Sequence, residues 1–390
     1  MFAVGGAALL GAWSCGSSPL AVVAIGLLLA GAGARLWARL ARRALTARRA
    51  ARSTRFVEGE RAELEFDVRA PRALPLGAIT VRSPFGPLGP AELRVGAGKS
   101  RVGLDGLSRG RYELPAAQVE VEDPLGLERF TVAAGPPLLV LVRPRVPELR
   151  TLFSEQGSAG HGGRRPSRRS PSGTELHTIR DHREGEALRA VHWPSTARHA
   201  RLMVKELDEA PRVDVVVVLD QDRGSFVGSG GRARLDLAVR AAGALALAHL
   251  SRGRRVSLLL AGAAVEVVAL TALERDWPAA LDALAAVEAH AEIDVAGVLA
   301  DPRLPASRAT SLVLVSGRAG GAATALHGRS RARSAALVAV ESASAPRTGR
   351  AEQALLRAVA AGIAVARLRP GDDVAAVLEG AAPGRVLAGG

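Results

Sequence analysis

The chain has a single cysteine, Cys15, so no intramolecular disulfide framework is available to it. Aromatic residues make up only 3% of its 390 residues, against 48% hydrophobic residues overall. Its cores must therefore be built from Ala, Val and Leu packed closely, which suits α/β layers. Lysine is almost absent, with Lys99 and Lys205 alone, so the net charge of +14 is carried by arginine. An Ala-, Gly- and Arg-rich chain is what a GC-rich genome produces without selection for binding. No aromatic-interleaved basic stripe accompanies the charge, so nucleic acid is not an expected partner. A phosphate loop and a dinucleotide fingerprint are missing as well: the run Gly228, Gly230, Gly231 lacks the following Lys-Ser/Thr. No cofactor is expected.

What is present begins with two apolar runs, residues 2–13 and 20–34, separated by a Ser/Gly/Pro turn and free of charge before Arg35. The second, extended through Leu36 and Trp37, approaches the ~20 residues a helix needs to cross ~30 Å of hydrocarbon. Residues 1–40 thus read as a transmembrane hairpin or single anchor. Arg35, Arg39, Arg42, Arg43, Arg48, Arg49, Arg52 and Arg55 follow with no acidic residue before Glu58, making 41–54 a basic juxtamembrane segment. The positive-inside rule places that end in the cytoplasm at the cell membrane. A cleaved signal peptide carries its charge before the apolar run, the reverse of this order.

Length predicts two or three domains. In 55–147, short alternating runs at 62–69, 78–82, 92–95, 101–104, 118–121 and 138–142, punctuated by Gly and Pro, predict a small antiparallel β-sandwich. Residues 148–173, with Gly162, Gly163, Arg164, Arg165, Pro166 and Pro171, read as a basic linker or exposed loop. In 174–390, apolar strand-like runs alternate with helical patterns. Continuous runs such as Val215-Val216-Val217-Val218 suit strands buried on both faces, so the expected fold class is an α/β doubly wound sheet. Ligands of such sheets bind beyond the carboxyl ends of the strands, which directs attention to residues 220–225.

Two stretches are more specific than composition. One is Arg109-Gly110-Arg111-Tyr112, then Glu122-Asp123-Pro124-Leu125-Gly126-Leu127. The other runs from Glu175 through Arg180, Asp181, His182, Arg183, Glu184, Gly185 and Glu186 to Arg189, His192, Trp193, Ser195, Ala197, Arg198, Leu202, Val204 and Lys205. Together they resemble the bacterial family of domain of unknown function fifty-eight, over roughly residues 54–225. The chain departs from that family's pattern at His182, where Tyr is usual, at Glu186 for Asp, and at His192 for Ile. The resemblance implies a von Willebrand factor A-like C-terminal domain and, because such members commonly occur beside them, a MoxR-type AAA+ ATPase as partner.

The charged residues Arg180, Asp181, Arg183, Glu184, Glu186, Arg189 and Arg198 surround one apolar anchor, Trp193, and can form a bidentate bracing network or a docking surface. In von Willebrand factor A domains the first strand ends in D-x-S-x-S, which holds a divalent metal. Here the positions read Asp220, Gln221, Asp222, Arg223 and Gly224. Both hydroxyls are gone and a positive charge has entered. Asp220 and Asp222 alone fall short of the oxygen ligation Mg²⁺ demands, so the site reads as degenerate; Asp294 is one distant donor to weigh, and 316–318 supplies no carboxylate. His177, His182, His192 and His199 match no zinc spacing. Ser195, near His192 and His199, lacks a G-x-S-x-G elbow and reads as packing and helix capping. The resulting expectation is a membrane-anchored scaffold or adaptor, not an enzyme. Its partner would bind the charged rim, with Asp222 and Arg223 on an exposed loop. A metal-dependent adhesion-type binding domain and an uncharacterised hydrolase are the rivals from other classes.

Overall fold

The structure, a computed structural model, describes residues 2–71, 74–153, 168–170, 175–181, 191–209, 214–228, 230–328, 334–342 and 349–380. They fall into two compact units, 1–145 and 146–390.

The first unit opens with helices α1 (Phe2–Cys15) and α2 (Ser18–Ala44). Pro19 sits in the first turn of α2, where its missing N–H costs no helical hydrogen bond. The two helices form an antiparallel hairpin: Gly5 lies against Leu28, and the Arg35 guanidinium stands 4.1 Å over the Phe2 ring. Among the described residues α2 alone is long and apolar enough to cross a membrane. At ~1.5 Å per residue, the 14 residues of α1 extend only ~21 Å.

Ten strands follow: β1 (Thr46–Ala51), β2 (Arg55–Val57), β3 (Ala62–Arg69), β4 (Ile79–Arg82), β5 (Glu92–Val95), β6 (Gly98–Leu104), β7 (Gly110–Leu114), β8 (Ala117–Glu122), β9 (Arg129–Gly135) and β10 (Leu138–Arg143). They form three small sheets, ordered β1-β3-β6, β2-β10-β7 and β5-β4-β8-β9. The sequence predicts an antiparallel arrangement, but β2 and β10 pair in parallel. Strand β1 lies in the stretch read as a basic juxtamembrane segment, and its alternating exposure shows why a strand forms there. Arg48 is exposed on one face, while Ala47, Arg49 and Ala51 share the other, where the two alanines pack against the core and Arg49 donates to the Pro115 and Pro136 carbonyls. That core joins all three sheets through Leu64, Phe66, Val81, Val119, Val121 and Val142, and it also takes in Ala41 and Leu45 at the end of α2.

The second unit contains a small sheet, β11 (Arg168–Ser170), β12 (Glu175–Asp181) and β13 (Met203–Glu209), with helix α3 (Trp193–His199) between the last two. The remainder is organised around six strands: β14 (Asp214–Asp220), β15 (Arg255–Ala261), β16 (Val265–Leu270), β17 (Ser311–Ser316), β18 (Ser334–Val340) and β19 (Ala364–Leu368). Their spatial order is β16-β15-β14-β17-β18-β19, all parallel except the edge strand β16. The helices are α4 (Gly231–Ser251), α5 (Leu273–Ala286), α6 (Val295–Ala300), α7 (Ala319–His327), α8 (Gly349–Ala360) and α9 (Val374–Gly380).

Alternation along β14 divides the interior in two. Val215, Val217 and Leu219 join a core with α4, α5 and α9, whereas Val216 and Val218 join another with α6, α7 and α8. A strand covered by helices on both faces has no solvated side, which is why its sequence is continuously apolar. Leu149, Leu152 and Phe153, read from sequence as the start of a linker, are buried in the first of these cores. The linker reading fails there because these apolar side chains fill space beside the sheet; residues 154–167 and 171–173 lie outside the described residues.

Candidate functional site

The strand order reverses between β14 and β17, so their carboxyl ends flank the crevice where parallel sheets commonly place ligands. Asp220 closes β14 and Ser316 closes β17. Both are buried, and they meet: Ser316 Oγ donates to Asp220 Oδ2 at 2.6 Å. Ser225 Oγ donates to the same oxygen at 2.7 Å, and the Asp222 N–H donates to Asp220 Oδ1 at 2.8 Å. Burial pushes the Asp220 carboxyl above its usual range, and the neighbouring Asp222 charge adds to this. The two hydroxyls and the backbone N–H oppose the shift by bonding the charged form.

Asp222 was expected on an exposed loop, but the structure buries it. Its Oδ1 accepts the Ile293 N–H at 3.0 Å and its Oδ2 pairs with Arg318 Nη1 at 3.1 Å. The reason is a tertiary one: the segment around Ala291–Ile293 crosses over the loop, and Arg223 N–H donates to the Ala291 carbonyl. Gly224 makes room for the ion pair. A Cβ there would stand 2.9 Å from Asp222 Oδ2 and 3.5 Å from the Arg318 guanidinium. Gly224 and the Asp222–Arg318 pair therefore form one arrangement.

Arg223 is exposed, as is the Arg318 side chain at 64%. With Asp222, Glu292 and Asp294 they line an open cavity of about 640 Å³. Asp294 caps α6 by accepting the Ala296 N–H at 3.1 Å. Behind the loop, Arg234 donates to the Ser225 and Val227 carbonyls at 3.1 and 2.6 Å and locks its backbone.

These residues do not fit a divalent metal. Each carboxylate oxygen of Asp220 and Asp222 already accepts an N–H or O–H, and the guanidinium of Arg318 puts positive charge beside the pair. A cation here would have to compete with these donors and with the Arg318 charge, and two carboxylates alone fall short of octahedral oxygen ligation. Among the described residues no group of three or more His, Cys, Asp or Glu side chains is placed to hold a metal.

The other predicted residues divide by position. Gly185, Glu186 and Arg189 lie outside the described residues, with His182, Arg183 and Glu184. Arg180 is placed in β12 by its backbone. Asp181 ends that strand and pairs with Arg201 at 3.1 Å, a partner that sequence reasoning missed. Trp193, expected as an apolar anchor, is 63% exposed at the first position of the short helix α3. His192 caps α3: its Nδ1 accepts the Ser195 N–H at 3.3 Å and lies 2.7 Å from Ser195 Oγ. Ala197 and Arg198 are exposed on the same helix. Thus the Asp220 cluster is assembled from β14, β17 and the crossing segment, while the residues near α3 sit on a separate small sheet. Ser225, Ser316 and Arg318 complete the first group, and sequence reasoning singled out none of them as partners of Asp220.

The family comparison bears on this same stretch. Residues 178–341 match the model described as "Protein of unknown function DUF58". The matched segment is less than half of the chain. It takes in Asp220, Ser225, Ser316 and Arg318, whereas the motifs at 109–112 and 122–127 precede it. Among solved structures, the SpRpn10 VWA domain is 12% identical, covering 43% of this chain and 91% of its own, with a TM-score of 0.28. An aerotolerance-related membrane protein from Bacteroides fragilis NCTC 9343, with multiple mutations to serines, is also 12% identical, covering 43% and 96%, with a TM-score of 0.26. A search of curated proteins returned no match.

Proposed function

We propose that this protein is a membrane-anchored scaffold or adaptor rather than an enzyme. Its α/β unit is a doubly wound, von Willebrand factor A-like domain that binds another protein at the rim between β14 and β17. One observation carries the reading: the Asp220 and Asp222 carboxylates are engaged by internal donors and by the Arg318 guanidinium, so the rim offers fixed charged side chains. Arg223 and Arg318 stand there with Glu292 and Asp294, a mixed-charge surface of the kind that sets association rate and partner choice more than raw affinity. The family resemblance supplies the partner, a MoxR-type AAA+ ATPase.

The anchor in this reading is α2, with 27 residues and its first charge at Arg35. The arginines that follow hold the soluble units in the cytoplasm. A reporter fused after Gly390 then behaves as cytoplasmic, and periplasmic or extracellular activity would overturn the orientation. For the partner, the detergent-solubilised full chain is tested against each MoxR-type ATPase that the same genome encodes. Arg223→Glu should weaken association and flatten its salt dependence. Absence of any association with the unaltered chain removes the adaptor reading.

A further inference from the structure

Alongside α2, the β-rich unit offers a second feature at the level where the helix turns from apolar to charged. Contacts between α2–β1 and β9 advance in step along both segments. Arg35 Nε donates to Glu128 Oε1 at 3.3 Å, and Trp37 stacks at 5.7 Å between ring centroids on Phe130. Further on, Arg42 lies 5.9 Å over the Phe130 ring, and Arg49 donates to the Pro136 carbonyl at 2.5 Å. Strand β9 therefore runs away from the apolar half of α2, and the β8–β9 turn stands at the end of the strand that faces it. The neighbouring loop reaches the same level, where Trp37 Nε1 donates to the Pro75 carbonyl at 2.9 Å.

That turn is rigid and tipped with apolar surface. The Asp123 carboxylate is buried and accepts the N–H groups of Leu125, Leu127 and Glu128 at 3.1, 2.5 and 2.8 Å. Gly126 adopts a φ of +68°, a conformation glycine enters without strain, and closes the turn. Pro124, Leu125 and Gly126 are exposed at its tip, Leu125 by 69%. A lone exposed leucine means little in general. Here it stands on a braced turn within three residues, about 10 Å of chain, of Glu128, whose carboxylate pairs with Arg35, the first charge after the apolar run.

We propose that the β8–β9 turn is a second membrane contact, with Leu125 entering the boundary between headgroups and acyl chains of the leaflet from which α2 emerges. This rests on the reading of α2 as a membrane-spanning helix. Trp37 lies at the depth where indoles concentrate in membranes, and the exposed Arg35, Arg39, Arg42 and Arg43 face anionic headgroups around it. The turn, the tryptophan and the arginines together fix the orientation of the β-rich unit on the bilayer, which a single helix would leave free to swivel.

The test uses the full chain in lipid nanodiscs of phosphatidylcholine and phosphatidylglycerol, in a Cys15→Ser background that removes the native thiol. An environment-sensitive fluorophore is placed at Leu125→Cys or at Ala133→Cys. Ala133 is also exposed, but at ~3.4 Å per residue it lies roughly 17 Å further along β9. The Leu125 probe should emit to the blue of the Ala133 probe, lose access to aqueous iodide and be quenched by nitroxide-bearing lipid. Equal emission and equal iodide access at the two positions, in discs that hold the chain, overturns the proposal while leaving the anchor intact. A chain that does not enter the discs overturns the anchor and this contact together.

Discussion

Asp123 in the β-rich unit and Asp220 in the α/β unit are buried almost equally, at 3% and 1% exposure, and each gathers three donors. The surfaces they support are opposite in chemistry. Asp123 braces a turn that exposes Leu125, whereas Asp220 braces a rim that exposes Arg223 and Arg318. The donors differ in origin too. Those of Asp123 are backbone N–H groups no more than five residues away, while Asp220 depends on Ser316, 96 residues on. A buried carboxylate is thus a general device for stiffening a loop, and what the loop presents is set by the residues left outside.

The largest effect that would sharpen this contrast comes from Asp220→Ala. Two buried hydroxyls and one buried N–H lose their acceptor, so the α/β unit should lose about 3 kcal/mol, read as a lower melting temperature. A melt unchanged by that variant would mean that the cluster does not hold the rim. Asp123→Ala removes as many bonds, but from a turn whose tip is open to solvent. We expect about 2 kcal/mol there, because water can replace part of what is lost. If Asp123→Ala proves the more damaging, the contrast between local and long-range bracing fails.

An effect that appears only in acid belongs to His249. This side chain is fully buried in α4, with Nδ1 3.1 Å from Arg254 Nη1 and Nε2 without a hydrogen-bond partner. Burial first, then the charges of Arg254 and Arg252, lowers its pKa from 6.5 to about 3. Between those values the unfolded chain binds a proton that the folded chain refuses. Its contribution to stability is therefore fully present above about pH 6.5 and is lost as pH falls toward 3, by up to about 1.4 kcal/mol per pH unit. Melting curves from pH 7 to 4 should show an acid limb that His249→Leu flattens.

The smallest effect concerns metal. Because every oxygen of Asp220 and Asp222 is engaged, millimolar Mg²⁺ should leave the melting temperature unchanged. A site filled at 100 times its dissociation constant would add about 2.7 kcal/mol and a shift of several degrees, which would restore the metal-dependent adhesion reading.

Much of the fold was legible because its signals are local. The run Val215 to Val218 announces a strand covered on both faces, and the stretches at 62–69, 92–95 and 265–270 coincide with β3, β5 and β16. Strand β1 was not legible. Its arginines hide a period-two pattern that only pairing with β3 makes useful. Trp193 shows the limit from the other side, since a large apolar residue carries no mark of whether its neighbours will cover it.

The sequence by itself determined that Asp220 and Asp222 close the run Val215 to Leu219 with no hydroxyl before Ser225, and that two apolar runs precede a run of arginines. Both are statements about residue order. Only the tertiary structure decided that Ser225 and Ser316 return hydroxyls to Asp220, that Arg318 takes the side of Asp222, and that Asp222 is buried. The physical reason is that each of those contacts depends on which strand lies beside β14. That adjacency is fixed by how the sheet buries its two faces, and no local spacing encodes it.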